Sequence, residues 1–260
     1  MKKLTLMLCV VFGLFAAAAC GRTEKNSEET EIIVFAASSM TETLTEISKM
    51  YKEIAPEVTL IFNFDSSGTL KTQIEEGAAC DLFISAGQKQ MDELACVEMD
   101  TRIDLLENKV VLAVPDANQK EIMSFDAMVE CLRSGSILLA MGNSDVPVGQ
   151  YTQRILTYYG LVEEKLADAG VITYCSNVKE VTTQVKEGAV DCGVIYCTDA
   201  FSAELNIVDA AKEAMCGQVI YPAAVMQTSL HKSEAKAFLD YLTSAEAMAV
   251  FETVGFTAVE

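Results

Sequence analysis

Positive charge and histidine are both scarce in this chain. Against 38 Asp and Glu stand 19 Lys and Arg, a formal net charge of −19, and the one histidine is His231. A surface of that sign excludes nucleic acid as a natural partner. Zinc lacks a ligand set as well: no CxxC pair occurs, and the nine cysteines are irregularly spaced. Beyond the N-terminus, no run approaches the ~20 apolar residues that span a bilayer. The acid excess also bears on ligands. An anion would be repelled at long range, with screening beyond roughly 10 Å in ordinary salt, so short-range dipoles must hold it.

What the chain does have begins with an address. Lys2 and Lys3 precede an apolar stretch from Leu4 to Phe15, and an alanine run leads to Cys20 and Gly21. That is a secretory signal, too short and too small-ended for a transmembrane helix. Cys20 stands where a bacterial lipoprotein receives its lipid. Residues 1–20 are therefore expected to be a lipoprotein signal peptide and 21–30 a polar tether. The mature protein is expected outside the cytoplasm, held to the cell membrane by a lipid on Cys20. The seven later cysteines read as small buried hydrophobes.

From Glu31 onward strands and helices alternate. Glu31 to Ala36 and Val58 to Phe64 read as strands, Asp81 to Ser85 as a buried strand. Thr41 to Ile54 reads as a helix with Leu44, Ile47 and Tyr51 on one face. Such alternation predicts an α/β fold with mainly parallel sheets covered by helices. The second half partly repeats the first. The run from Thr72 to Ala78 (TQIEEGA) recurs as Thr183 to Ala189 (TQVKEGA), 111 residues on. The apolar pair Leu70 and Ile74 becomes Val181 and Val185 at the same offset. Two similar lobes follow, with Lys109 to Val114 and Gln218 to Val225 as a two-strand hinge and the ligand cleft between the lobes. Lobe one is expected over 31–112 plus 222–260, and lobe two over 113–221.

Four helix starts face that cleft. They are Ala36 to Ser39, Asp65 to Gly68, Val146 to Gly149 and Ser176 to Val178. The first backbone N–H groups of a helix have no intrahelical acceptor, and the aligned dipoles add about half a positive charge there. A helix start is thus an anion site without lysine or arginine. One serine-rich start alone is ordinarily a simple cap. Tyr196 falls at a strand end, where α/β folds place ligand groups, although a tyrosine there is also commonly packing.

These segments resemble the molybdate-binding proteins of ABC importers, within the type II periplasmic binding-protein superfamily. The resemblance is carried by Val34 to Ser39, Ser66 to Leu70, Asp81 to Ala86, Val146 to Tyr151, Gly193 to Tyr196 with Asp199 and Ala200, and Gly255 to Thr257. It implies a binding protein, not an enzyme, that captures molybdate or tungstate. The oxyanion would be held by the hydroxyls of Ser39, Ser67 and Tyr196 and the N–H groups of Val148 and Val178, with no charged contact. The metal atom would be reached only through its oxygens, and no cofactor is expected. Permease and ATPase subunits of an importer are the implied partners, and the binding protein would act as a monomer. Asp65, two residues before Ser67, is expected to point outward or to cap the next turn.

Two other readings compete. A receptor of the same fold for sulfate, phosphate or an organic anion is one, but organic acids call for a cleft arginine. Only Arg154, a turn inside its helix, comes near. A thiol-dependent hydrolase is the other, and it lacks a base beyond His231, which sits in a polar stretch.

Overall fold

The alternating apolar runs become two sheets. A computed structural model describes residues 29–259. The signal peptide, Cys20 and residues 21–28 of the tether lie outside the described residues. The chain opens with β1 (Thr30–Ala37), α1 (Thr41–Ile54), β2 (Val58–Asp65), α2 (Ser67–Glu75), β3 (Leu82–Ile84), α3 (Gln88–Asp92) and β4 (Ile103–Asn108). It crosses into β5 (Val110–Val114), α4 (Phe125–Ser134), β6 (Leu139–Gly142), α5 (Pro147–Tyr158), α6 (Glu163–Asp168) and β7 (Ile172–Cys175). The second lobe continues with α7 (Val178–Lys186), β8 (Cys192–Tyr196), α8 (Cys197–Ser202), β9 (Asn206–Ala210) and α9 (Glu213–Cys216). The return brings β10 (Val219–Val225), α10 (Lys232–Leu242), α11 (Ala245–Thr253) and β11 (Thr257–Ala258).

Lobe one holds the sheet β11-β4-β10-β3-β1-β2 and lobe two the sheet β7-β6-β8-β5-β9. The central strand β1 runs parallel to β2 and β3, and its counterpart β6 runs parallel to β7 and β8. On the other side, β10 and β5 run antiparallel to both their neighbours. The two-lobed α/β arrangement is as expected, but the sheets are mixed instead of mainly parallel. The reason is geometric: β5 and β10 each start at the crossing and run away from it, whereas the parallel strands run towards the other lobe. The expected boundaries at 112 and 222 also shift. They fall inside β5 and β10, which pair within one sheet along their whole lengths, so the crossings lie at Lys109 and at Gly217–Gln218.

The repeat survives in three dimensions. Both ends of α7 lie 111 residues beyond those of α2, and the strands that follow, β3 and β8, hold the same place in their sheets. Burial of Val178, Val181, Thr182 and Val185 gives α7 one inward stripe at helical spacing. Leu70 and Ile74 do the same for α2. In lobe one, Ile32, Val34 and Ala36 of β1 join the main core while Phe35 enters a second cluster with Leu70, Ile74 and Phe83. The strand is therefore buried on both faces, as a central parallel strand should be.

Lobe-to-lobe contacts gather where the strands end. Lys179 Nζ donates to both carboxylate oxygens of Glu42 at 2.8 Å. Gln90 Nε2 donates to Gln150 Oε1 at 3.2 Å. Lys179 is also 3.2 Å from Asp199 Oδ1, although no hydrogen bond of good geometry reaches that buried carboxylate. Burial pushes the Asp199 carboxyl up to about 6, against the pull of Lys179. Tightest of all is Gly68 in the first turn of α2: a Cβ there would collide with the Asp145 carbonyl oxygen of the other lobe.

Two glycines separate folding from closure. A Cβ on Gly193 would sit 2.5 Å from Val185 Cγ2 and 3.1 Å from Val181 Cγ1, inside lobe two. Gly193→Ala is expected to cost ~1–3 kcal/mol of unfolding free energy in urea titration, and an unchanged midpoint would contradict the packing. Gly68→Ala should leave stability intact or raise it, since Ala exceeds Gly in a helix by ~1 kcal/mol. Its lobes should stay apart under any condition that closes the wild type, seen as a larger radius of gyration in solution scattering. A variant that closes normally would refute the contact.

Candidate functional site

Three of the four helices, α2, α5 and α7, begin two to four residues earlier than the sequence implied, whereas α1 begins at Thr41 as expected. At the end of β1 a 3-10 turn, Ser38–Met40, precedes α1 and buries Ser38 and Ser39. In α2 the cap is Ser66, whose Oγ accepts from Thr69 N–H at 3.1 Å, so Ser67 is left free to do something else. Its Oγ accepts the Ala86 N–H from the end of β3 at 2.9 Å. A hydroxyl that has accepted still has a proton to donate.

In lobe two, α5 starts with Pro147 and has no side-chain cap on Val146. The α7 cap is Asn177, which accepts from Glu180 N–H. Val148 and Val178 thus lie in first turns, and their N–H groups have no acceptor among the described residues. Tyr196 ends β8 with its hydroxyl 3.5 Å from the Ala86 carbonyl of lobe one, to which it donates. Burial, then the nearby Tyr221, Tyr151 and Asp199, holds its phenol well above the usual range. Tyr196 therefore remains protonated and a donor.

All five expected residues, Ser39, Ser67, Val148, Val178 and Tyr196, line one small cavity at the seam between the lobes. Ala37, Ser38, Ser66, Ala86, Val146 and Pro147 complete most of its wall. The space open to water-sized centres is about 10 Å³, little more than one water needs. Larger grooves exist, such as one of about 490 Å³ beside Lys89 and Arg154, but none of the four helix starts named above lines it. Chemistry, not volume, singles out the small cavity.

No lysine or arginine lines that cavity, and its one charged neighbour is Asp65. The Asp65 carboxylate neither points fully outward nor caps α2. Its Oδ1 takes the Ser66 N–H at 2.7 Å and reaches across to Asn177 Nδ2 at 3.5 Å. Sequence reasoning missed Tyr221 and Asn108, which stand directly behind Ser39. Tyr221 Oη is 2.9 Å from Ser39 Oγ and 3.2 Å from Asn108 Nδ2. Neither residue belongs to a helix start, so the signal used to find the others could not reach them. The thiol reading finds little here. His231 lines a separate groove with Cys80 and Cys96, and burial pushes the Cys80 and Cys175 thiols up to about 12.

With this geometry in place, similarity to known proteins can be weighed. A Bacillus subtilis protein named "Putative ABC transporter substrate-binding lipoprotein YvgL" is 35% identical, over 99% of this chain and 99% of its own. The molybdate-binding protein ModA of Escherichia coli is 32% identical, over 94% of this chain and 96% of its own. The periplasmic molybdate-binding protein of Azotobacter vinelandii shares the fold at a TM-score of 0.74 and 21% identity, covering 88% of this chain and 100% of that one. The family profile of the bacterial extracellular solute-binding proteins matches residues 32–257. Two lobes meeting over a cavity of donors, and a match over nearly the whole described chain, lead to one statement: the chain belongs to the bacterial extracellular solute-binding protein family.

Proposed function

We propose that this solute-binding protein captures molybdate or tungstate outside the cytoplasm and hands it to the permease and ATPase of an ABC importer. The observation that carries the reading is the wall of the seam cavity: hydroxyls and first-turn N–H groups from both lobes, with no cation among them. A dianion moved out of water needs each lost hydration bond replaced. Charge-assisted bonds from N–H and O–H donors that are already oriented do this without bringing in a counter-ion. Ser39 and Ser67 supply hydroxyls from lobe one. The N–H groups of Val148 and Val178 and the hydroxyl of Tyr196 supply the rest from lobe two.

Neutral donors also reconcile binding with the net charge of −19. The field of the surface opposes an approaching anion but is screened within about a Debye length, whereas the donors act at contact. Size then selects. Molybdate and tungstate have nearly the same bond lengths, and sulfate is shorter, so donors spaced for the former would not all reach the latter. Because the donors are split between lobes, the ligand binds fully only when the lobes meet, and closure reports the loaded state to the membrane partner. A single copy holds the whole cavity, so the working unit is a monomer.

The relatives support this ligand, and the name of one of them supports a lipoprotein. No helix among the described residues is long and apolar enough to cross a membrane. Attachment through a lipid on Cys20 follows from the N-terminal sequence, and Cys20→Ser should release the protein from membranes and abolish incorporation of a labelled fatty acid. Retention on membranes with the label lost would assign the anchor elsewhere.

Calorimetric titration with tungstate, molybdate, sulfate and phosphate tests the ligand. One-to-one binding of the first two, with the others silent, is the expected result; heat from sulfate or phosphate alone would move the protein to another oxyanion. Ser39→Ala and Tyr196→Phe should each weaken tungstate by ~1.5–3 kcal/mol, the range for a hydrogen bond to a charged group. Unchanged affinity in both would mean the cavity is not the site.

A further inference from the structure

A hydroxyl has one proton to give, and the direction in which it gives it decides what a cavity can hold. For Ser67 the direction is set by the backbone, because its oxygen already accepts the Ala86 N–H. Ser39 is different. Its Oγ lies 2.9 Å from Tyr221 Oη, and by distance alone either oxygen is able to donate.

The groups behind Tyr221 resolve the direction. Asn108 Oδ1 accepts the Lys109 N–H at 2.8 Å, which fixes the amide so that Nδ2 faces inward. That nitrogen donates to Thr198 Oγ1 at 3.0 Å and to Tyr221 Oη at 3.2 Å. The Tyr221 oxygen thus already receives a proton. Its own proton sits on a side chain with 0% exposure, where an unused donor is costly. Tyr196, whose ring centre is 5.7 Å away, has its hydroxyl directed at the Ala86 carbonyl. Ser39 Oγ, at 2.9 Å, is the one oxygen among the described residues hydrogen-bonded to Tyr221 Oη, and so accepts its proton.

We propose that Tyr221, oriented by Asn108, holds Ser39 as a donor towards the cavity and is a positioning residue that excludes oxyanions bearing a proton. Asn108 is the last residue of β4 and Thr198 belongs to α8, so the relay starts at the crossing between lobes and ends at the ligand. Monohydrogen phosphate would bring an O–H that needs an acceptor. Elsewhere in the wall the Ser67 oxygen already engages a backbone N–H, the Ala86 carbonyl engages Tyr196, and the Asp65 carboxylate engages Ser66 N–H and Asn177 through Oδ1. Ser39 is the point where one side chain decides between donor and acceptor. In Tyr221→Phe nothing holds the Ser39 proton towards the cavity, so the hydroxyl can turn and present its oxygen to the phosphate proton.

The selectivity part rests on the oxyanion reading above, so the test has one arm with ligand and one without. In the first arm, wild type, Tyr221→Phe and Ser39→Ala/Tyr221→Phe are titrated with tungstate and with phosphate near neutral pH. Tyr221→Phe should bind tungstate about threefold to tenfold more weakly and phosphate more tightly, lowering the ratio of the two affinities by roughly tenfold or more. The double variant should lose the gained phosphate binding. A purely structural role would weaken both anions alike, and an unchanged ratio overturns the proposal. In the second arm, without ligand, the infrared C–O stretch of Tyr221 is identified by its loss in Tyr221→Phe and followed in Ser39→Ala. The band should move as for a phenol that has lost the acceptor of its proton. A shift of opposite sign, or none, overturns the relay. If wild type binds neither anion, the oxyanion reading fails on its own, and the infrared arm still decides which way the proton points.

Discussion

The structure depends on one constraint: backbone N–H groups left without partners at helix starts must be satisfied by something at the seam between the lobes. Val148 and Val178 are buried, and nothing among the described residues accepts from their N–H groups. An orphaned buried N–H costs as much as a lost hydrogen bond, so a fold that keeps two of them facing one cavity is built around an acceptor. Sheet topology brings them there. Parallel strands β1, β2, β6 and β7 all end at the seam, and the chain leaves each by a turn into α1, α2, α5 or α7. Helix starts therefore collect at one place, and helix C-termini, with their opposite charge, are carried to the far side.

A two-lobed answer to that constraint brings a second requirement, that the lobes fit when they meet. The close approach at Gly68 and Asp145, the Lys179–Glu42 ion pair and the Gln90–Gln150 bond all lie near the cavity and all cross the seam. The ion pair is half exposed on the Glu42 side, where such pairs contribute little on their own. Its part is better understood as fixing register: Glu42 follows Ser39 by three residues, and Lys179 follows Val178 directly. Registering these two residues places donors of opposite lobes at the right separation. Asp199 keeps Lys179 at hand from within lobe two, at the cost of a buried carboxylate that has no other partner.

Much of this was legible in the sequence because it is local. Helix and strand periods, the TQIEEGA and TQVKEGA repeat, and the serine-rich and proline-glycine turns are short-range patterns that led to the helices, and the five residues that the family resemblance implied all fall on the wall of one cavity. Other features were not legible because they depend on contacts far apart in sequence. Which sheet takes β5 or β10 is decided by pairing, so the boundaries at 112 and 222 came out several residues late. The mixed character of the sheets has the same origin, since an apolar run does not record the direction of its neighbours. Asn108 and Tyr221 stand 113 residues apart, and Ser39 and Tyr221 stand 182 apart. Within its own segment, YPAAV, Tyr221 looks like one more strand residue.

The same contrast separates two ideas of how such a cavity selects its ligand. Counting donors explains why such a cavity suits a dianion, but a count is blind to direction, and a hydroxyl is a donor or an acceptor according to what stands behind it. Backbone N–H groups cannot reverse, so Val148, Val178 and the Ala86 N–H that engages Ser67 are fixed by the fold. Side-chain hydroxyls can reverse, and each needs a neighbour to prevent it. Tyr196 is directed by a carbonyl and Ser39 by a phenol that an amide holds in turn. A site can therefore lose its selectivity without losing a single ligand contact, through a residue that never touches the ligand. Since Asn108 lies at a crossing between the lobes, the polarity of the cavity is set from the hinge itself.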